Sequence, residues 1–389
     1  MMQIALLGST GSIGASTLDV VRKFPDRYRI CGLSAGSNIE LLAAQVREFQ
    51  PRLVALSNGA VIGRLRELLS SHRTEIHTGP EAASIIAAMD EADMVVAAIA
   101  GSAGLVPTYS AVKAGKTIAL ANKETLVMAG SLITQTASAK RCRIIPVDSE
   151  HSAIFQLLEG RRTQDISRLI LTASGGPFRG CDPERLSRVT PEQALNHPRW
   201  KMGRKVTTDS ATMMNKGLEI IEAHWLFGMP PAQIHVIVHP ESIVHSMIEF
   251  VDGTVLAQLS RPDMRAPIAY ALSAPERLQN VVAPLDFAAL GSLQFFAPDK
   301  AAFPAIDLAY RALEEGGLMP AVMNAANEVA VEKFHERLIG FTGIAQLIET
   351  VMEKFTGGPA DTMAAVLEVD LWARRVAEAA AKKFTGGMN

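Results

Sequence analysis

Gln3-Ile4-Ala5-Leu6-Leu7-Gly8-Ser9-Thr10-Gly11-Ser12-Ile13-Gly14 decides the fold of this chain. The residues before Gly8 form a short apolar run that reads as a buried strand, and a helical pattern follows over 15–22. A strand, a Gly-rich turn and a helix N-terminus in that order build a phosphate cradle. The glycines permit a tight turn and close backbone approach, while unpaired N–H groups and the helix dipole attract an anion. The G-x-x-G-x-x-G spacing is a variant of the dinucleotide fingerprint. Taken alone it also suits an ordinary turn of an α/β protein; between a strand and a helix it predicts nucleotide binding.

Outward from this stretch, residues 1–149 alternate short apolar runs with helical patterns. The runs are 4–7, 30–34, 53–56, 94–98, 117–120 and 144–147, with helices such as 38–49 and 61–71 between them. Several runs are too uniformly apolar to be half-exposed, as expected of parallel strands covered on both faces. The reading is α/β: an N-terminal doubly wound Rossmann-type domain over 1–149. From residue 150 polar turn signals crowd together, at Ser174-Gly175-Gly176-Pro177, Asn196-His197-Pro198 and Asp209-Ser210. Strand-like runs follow at 234–238, 243–251 and 254–259, the last two joined by the hairpin signal Asp252-Gly253. Residues 150–285 therefore read as a central α+β catalytic domain with an antiparallel sheet. The Phe-, Pro- and Ala-rich stretch 286–312 reads as a linker packed on something else. Residues 313–389 read as a C-terminal helical bundle, clearest at 361–384, with a mobile tail at 385–389.

At 389 residues the chain is too long for one core, and 48% apolar with 20% charged residues suits a globular protein. A net charge of −2 gives no global field for nucleic acid or an anionic membrane. Cys31, Cys142 and Cys181 are far apart and form no C-x-x-C pair, which argues for a reducing compartment without structural disulfides. No basic segment precedes an apolar one at the N-terminus, so no signal peptide is read. The longest apolar run, 94–107, contains Gly101, Ser102 and Gly104 and is too short to span a bilayer. A cytoplasmic protein is expected.

The groups suited to chemistry lie mostly after strands. Asp148-Ser149-Glu150 follows the sixth run, at the edge where open α/β sheets take ligands. Two residues apart in an extended segment, the carboxylates share a face, and hard oxygens suit Mg2+ or Mn2+ rather than Zn2+. The same three residues also make a solvated acidic turn. Asn215-Lys216-Gly217-Leu218-Glu219 opens a helix that carries Glu219, Glu222 and His224. Lys216 opposes the helix dipole there, a conflict a bound anion resolves. Glu219 would complete a three-carboxylate metal site with Asp148 and Glu150; an amphipathic surface helix accounts for the same residues. The basic stretch 196–205 surrounds Trp200. It reads as a loop closing over a phosphorylated substrate, or as a solvated loop anchored by that ring. Ser174-Gly175-Gly176 and Ser210 offer hydroxyls and N–H groups to an anion, and Lys123 in Asn122-Lys123-Glu124 sits at the ligand edge. His239 and His245 have no standard metal spacing and read as structural. Leu33-Ser34-Ala35-Gly36-Ser37-Asn38, at the end of the second strand, holds no acid. That favours NADPH over NADH, with Ser37 and Asn38 able to bond a 2′-phosphate.

Together these motifs resemble the 1-deoxy-D-xylulose 5-phosphate reductoisomerase family over essentially the whole chain. The resemblance rests on GSTGSIG at 8–14, ANKE at 121–124, VDSEH at 147–151, SGGPF at 174–178 and NHPxWxMG at 196–203. It rests also on DSATMMNKGLE at 209–219 and HPxSxxHSM at 239–247. The resemblance implies an NADPH- and metal-dependent oxidoreductase of non-mevalonate isoprenoid synthesis, rearranging and reducing a sugar phosphate to 2-C-methyl-D-erythritol 4-phosphate. It implies Asp148, Glu150 and Glu219 as ligands of Mn2+ or Mg2+. Ser149, Ser174, His197, Ser210, Asn215 and Lys216 would hold the substrate, with Lys123 nearby and with Lys123 and His197 in catalytic roles. Thr10, Gly11, Ser12, Ile13, Gly36, Asn38, Asn122, Glu124 and Gly203 would touch NADPH. Trp200 and Met202 would belong to a flap over substrate and nicotinamide. A homodimer using the strands near 234–260 is implied as well. Two other classes fit parts of the pattern: a metal-independent Rossmann dehydrogenase, and a non-enzymatic NADPH-binding regulator.

Overall fold

The structure is a computed structural model and describes residues 1–70, 72–200 and 202–384. The tail expected to be mobile, 385–389, lies outside the described residues. The chain divides into two compact units. One comprises Met1–Thr125, Ile133–Ser152 and Asp263–Ala283; the other comprises Leu126–Leu132, Ala153–Pro262 and the chain from Pro284 onward.

In the first unit a seven-stranded parallel sheet is built largely from apolar runs that have no polar face. Its strands are β1 (Met2–Leu7), β2 (Tyr28–Ala35), β3 (Leu53–Leu56), β4 (Glu75–Thr78), β5 (Met94–Ala97), β6 (Thr117–Leu120) and β7 (Ile144–Pro146). The order is β4-β3-β2-β1-β5-β6-β7 with every pairing parallel. Chain order reverses between β1 and β5, which places the ligand crevice of a doubly wound sheet at their carboxyl ends. The sequence reading found six of these strands and missed β4. Glu75-Ile76-His77-Thr78 is an edge strand with exposed ends and a half-buried middle, so it carries no apolar run. The connecting helices are α1 (Ser12–Lys23), α2 (Ile39–Phe49), α3 (Ile62–Leu68), α4 (Ala82–Ala87), α5 (Leu105–Lys113), α6 (Glu124–Lys140) and α7 (Ser149–Leu158), of which residues 126–132 of α6 and 153–158 of α7 belong to the second unit. A helix from much later in the chain, Arg265–Ser273, packs on α1 and beside β6 and β7. The sequence reading had grouped that segment with the central domain.

The second unit contains β8 (Ile166–Ala173), α8 (Pro183–Ser187), α9 (Pro191–Ala194), α10 (Arg204–Ala211), α11 (Met214–Phe227), β9 (Ile234–Val238), β10 (Val244–Phe250) and β11 (Val255–Leu259). Its sheet runs β11-β10-β8-β9. The Asp252-Gly253 hairpin is present between β10 and β11, with Gly253 at φ +84°. The expectation of an antiparallel sheet is corrected: β8 pairs antiparallel with β10 but parallel with β9. Strand β8 escaped the sequence reading because Ser167 and Arg168 interrupt its apolar pattern. Arg168 Nη2 pairs across the sheet with Glu249 on β10, at 2.6 Å.

With the Arg265–Ser273 helix counted as α12, the remaining helices are α13 (Phe287–Leu290), α14 (Ala305–Glu315), α15 (Met319–His335), α16 (Phe341–Met352) and α17 (Met363–Phe384). The stretch 286–312 is more than a linker, because it holds α13 and most of α14. Phe296 also exchanges both backbone hydrogen bonds with Val238, at 2.8 and 2.9 Å. Helix α15 is buried along most of its length, between α14, α16 and α17. Helix α11 lies so close to α14 that a Cβ on Gly217 would come within 3.0 Å of Ala305 O. Among the described residues no helix is long and apolar enough to cross a membrane.

Candidate active site

The first unit builds the nucleotide cradle from the glycines. Gly8 turns at φ +82°, and a Cβ on it would sit 2.5 Å from Ala98 O, just past β5. A Cβ on Gly14 would sit 2.4 Å from Gly8 O, so only glycine lets α1 start this close to the turn. Gly11 is less constrained, its nearest neighbour being 3.4 Å away. The first backbone bond of α1 runs from Ala15 N to Gly11 O, at 2.9 Å. The amides of Ser12, Ile13 and Gly14 therefore precede the helical ladder and point out of its positive end. Gly8 N and Ser9 N both donate to Ser34 O, which ties the turn to β2. Beyond β2, Gly36, Ser37 and Asn38 are exposed, and Asn38 Oδ1 caps α2 by accepting from Leu41 N at 3.1 Å. Asn122 is buried and donates to Glu124 Oε2 at 2.9 Å and to Gly101 O at 3.0 Å, so these two residues hold each other in the loop after β6.

At the far edge of the same sheet the expected extended geometry of Asp148-Ser149-Glu150 is corrected. Strand β7 ends at Pro146, and Ser149 and Glu150 already open α7. Asp148 stands just before that helix, its backbone oxygen accepting from Ser152 N at 2.8 Å. Glu150 thus gains the favourable field of the helix N-terminus. Lys123 Nζ donates to Asp148 Oδ2, and Ser149 Oγ donates to Glu150 Oε2. Lys123 is only 8% exposed, so this buried ammonium stands directly against the Asp148 carboxylate.

The second unit gathers the anion-type groups. His197 Nδ1 accepts from Arg199 N at 3.2 Å and Trp200 N at 2.9 Å, which leaves the proton of the neutral ring on Nε2. Burial holds this imidazole below its ordinary pKa, which favours that neutral ring. Nε2 lies 3.1 Å from Ser174 Oγ, which also accepts from Gly176 N at 3.2 Å. With two donors directed at its oxygen, the Ser174 hydroxyl has its own proton left to give outward. Gly176 packs against the end of α10, where a Cβ would meet Ser210 O at 2.8 Å; this brings the Ser174 turn to Ser210. On α11, Lys216 is 3% and Glu219 0% exposed. Lys216 Nζ donates to one oxygen of Glu219 and Asn215 Nδ2 to the other. An ion pair buried this deeply is costly and marks a site rather than a stabilising contact. Met213, just before α11, sits in the left-handed region at φ +64°, a conformation costing about 1 kcal/mol outside glycine and found where ligands bind.

Three family models match the chain in succession. The model for 1-deoxy-D-xylulose 5-phosphate reductoisomerase covers residues 4–130, that for its C-terminal domain covers 144–227, and that for the DXP reductoisomerase C-terminal domain covers 259–376. The chain belongs to the 1-deoxy-D-xylulose 5-phosphate reductoisomerase family. A family member from Prosthecochloris aestuarii is 55% identical over 97% of this chain and 99% of its own length. The solved reductoisomerase from Zymomonas mobilis, in complex with NADPH, is 42% identical with a TM-score of 0.92, covering 98% of this chain and 99% of that one. A second family structure, in complex with NADPH, fosmidomycin and magnesium, is 40% identical with a TM-score of 0.93 over the whole of both chains.

Within this family member the stretch 196–205 is divided. Trp200 is half-buried with its ring 6.5 Å from that of His245; Lys201 lies outside the described residues; Met202 is half-buried, and Gly203 starts α10. His239 and His245 are structural, as read from their spacing. His239 Nε2 accepts from Ile243 N at 3.1 Å, and His245 Nε2 lies 2.8 Å from Ser260 Oγ. The sequence reading missed Asp209 and Lys205, paired at 2.7 Å with Asp209 only 1% exposed. Their i, i+4 spacing was visible, but nothing in the sequence marks the carboxylate as buried.

Proposed function

We infer that this chain converts 1-deoxy-D-xylulose 5-phosphate into 2-C-methyl-D-erythritol 4-phosphate by skeletal rearrangement and reduction, with NADPH and a divalent metal ion. The observation that carries the reading is the presence, in one chain, of a dinucleotide cradle without an acid after β2 and a deeply buried Lys216–Glu219 pair among anion-type donors. Family membership and the relatives' complexes with NADPH and magnesium support it.

In this reading Thr10, Gly11, Ser12, Ile13, Gly36, Asn38, Asn122, Glu124, Met202 and Gly203 touch NADPH. Asp148, Glu150 and Glu219 are the metal ligands, since three hard carboxylates fit Mg2+ or Mn2+. When bound, the ion supplies Lewis-acid polarisation and NADPH supplies the hydride. The chain's own part is binding and exclusion of water. Ser174 gives its proton to a phosphate oxygen, and His197 fixes that hydroxyl from behind. Ser210, Asn215 and Lys216 complete the phosphate site. Lys123 and Ser149 hold Asp148 and Glu150 in place next to the reacting oxygens. Trp200 closes over the substrate and keeps water from it. Residues 1–149 then serve the cofactor, residues 150–262 the chemistry, and the helices from α14 onward give support. The protein acts as a homodimer through the strands near 234–260, where Val251 and Val255 are exposed at 70% and 44%. Light scattering at twice the chain mass tests that. Three free cysteines, with the buried Cys31 thiol pushed up to about 11, suit a reducing cytoplasm.

Metal removal tests the reading. EDTA abolishes turnover with the sugar phosphate, Mg2+ restores it, and NADPH binding survives both treatments. Turnover that persists in EDTA would instead mark a simple hydride-transfer enzyme. The cofactor choice has its own test. Ser37→Asp places a carboxylate where no acid now stands and repels a 2′-phosphate. NADPH KM should rise about tenfold or more while NADH is little affected. An unchanged NADPH/NADH ratio would move the 2′-phosphate away from Ser37.

A further inference from the structure

Helix α10 joins the Trp200 flap to Ser210, yet it has little means of holding itself in place. Its sequence, Arg204-Lys205-Val206-Thr207-Thr208-Asp209-Ser210-Ala211, contains one large apolar residue, and its N-cap, Gly203, makes no side-chain cap. Thr, Asp and Ser are weak helix formers. Even so, Thr207, Thr208 and Asp209 are 3%, 0% and 1% exposed. Three consecutive buried polar side chains must each find partners. Thr207 Oγ1 bonds locally to Gly203 O, at 2.9 Å. The other two reach α15. Thr208 Oγ1 donates to Arg204 O at 3.0 Å and lies 2.8 Å from His335 Nε2. Asp209 Oδ1 accepts from Asn327 Nδ2 at 3.0 Å, while Oδ2 pairs with Lys205. Asn327 itself is 0% exposed.

The spacing of these ties matters more than their number. Asn327 and His335 lie eight residues apart on α15, about 12 Å along its axis. Their partners are adjacent on α10, where side chains diverge by about 100°. Two bonds from diverging side chains to two separated points fix both the position of α10 and its rotation about its own axis. The next residue, Ser210, takes its direction from that rotation. Because the Thr208 proton is committed to Arg204 O, the His335 contact requires Nε2–H as donor. Burial and the nearby Arg204 hold His335 below its ordinary pKa, so the donor at neutral pH is the uncharged ring.

We propose that Asn327 and His335 are positioning residues for the substrate phosphate: from α15 they set the rotation of α10, and with it the aim of Ser210 and the anchor of the Trp200 flap. This rests on Ser210 holding the phosphate, and the test separates the two ideas. Asn327→Leu keeps the side-chain size without the donor, and His335→Phe keeps a ring without one. Each raises KM for 1-deoxy-D-xylulose 5-phosphate about tenfold or more, since a displacement of about 1 Å costs up to a hundredfold. NADPH Kd changes much less than this KM, because only Met202 and Gly203 of its proposed contacts adjoin α10. His335→Gln, which restores an N–H donor, recovers most of the loss; a general loss of stability would not follow that donor.

If Ser210→Ala raises KM while Asn327→Leu and His335→Phe leave it unchanged, the positioning role is wrong and the phosphate reading stands. If Ser210→Ala itself leaves KM unchanged, both are wrong. Should Asn327→Leu fail to fold, the His335→Phe and His335→Gln pair decides, and equal KM values in the two overturn the proposal.

Discussion

Glu219→Gln lowers kcat by about a thousandfold while NADPH affinity stays within about twofold. A factor of this size is ~4 kcal/mol of barrier, within reach of one lost charge on a catalytic cation. Glutamine is nearly isosteric and keeps an oxygen for Asn215, but it removes the negative charge that the proposed metal site takes from Glu219. It also removes the charge to which buried Lys216, 3% exposed, donates, and breaking such a pair costs about 3–5 kcal/mol of stability. Activity is therefore read well below a lowered Tm, and as a function of Mg2+. Saturating metal should recover only part of the loss. Glu219→Asp, which keeps the charge, should retain more activity than the amide. Wild-type turnover for Glu219→Gln at ordinary metal concentration would remove Glu219 from the ligand set.

Gly14→Ala should be nearly as damaging, and at the other end of the chemistry. The added methyl would stand 2.4 Å from Gly8 O and 2.6 Å from Ser9 backbone atoms, and all of these are main chain. Backbone cannot swing aside as a side chain can, so α1 must withdraw from β1 and carry the amides of Ser12 and Ile13 with it. Those amides are the cradle, and NADPH Kd is expected to weaken about a hundredfold. Gly63→Ala on α3, outside the cradle, supplies the control, because a Cβ there finds nothing within 4 Å. It should leave NADPH affinity unchanged and, inside a helix, cost no stability. Calorimetric titration of NADPH against both variants checks the pair. Equal affinities would mean that the close approach of α1 to Gly8 does not hold the cofactor.

The parallel sheet was legible because residues such as Val95, Val96 and Ile118 form runs with no polar face, and burial on both sides is the condition that produces such runs. Strands without that condition were hidden. Glu75–Thr78 lies at an edge, and Ile166–Ala173 carries an arginine whose partner, Glu249, comes from a strand far along the chain. The glycine cradle was legible in part for a similar reason: Gly14 answers to the backbone of Gly8 and Ser9, only a few residues away, although Gly8 itself abuts Ala98 O on a distant strand end. The candidate site was less legible from local pattern alone. Lys216 announced itself by opposing the helix dipole, and the structure adds that it is buried against Glu219. Asp148 and Glu150 were found, but in the wrong backbone geometry, because a helix starts at Ser149 where an extended segment was expected. The burial of Thr208 and Asp209 gave no sequence signal, since their partners His335 and Asn327 stand more than a hundred residues away.

The most direct test of the central claim is the fate of a labelled hydride. The enzyme is supplied with 1-deoxy-D-xylulose 5-phosphate, Mg2+ and NADPH carrying deuterium at the transferable position of the nicotinamide, and the product is read by NMR and mass spectrometry. One deuterium on the terminal carbinol carbon of a branched 2-C-methylerythritol skeleton is the predicted result. Deuterium in an unbranched polyol phosphate, or none in any product, would contradict the account.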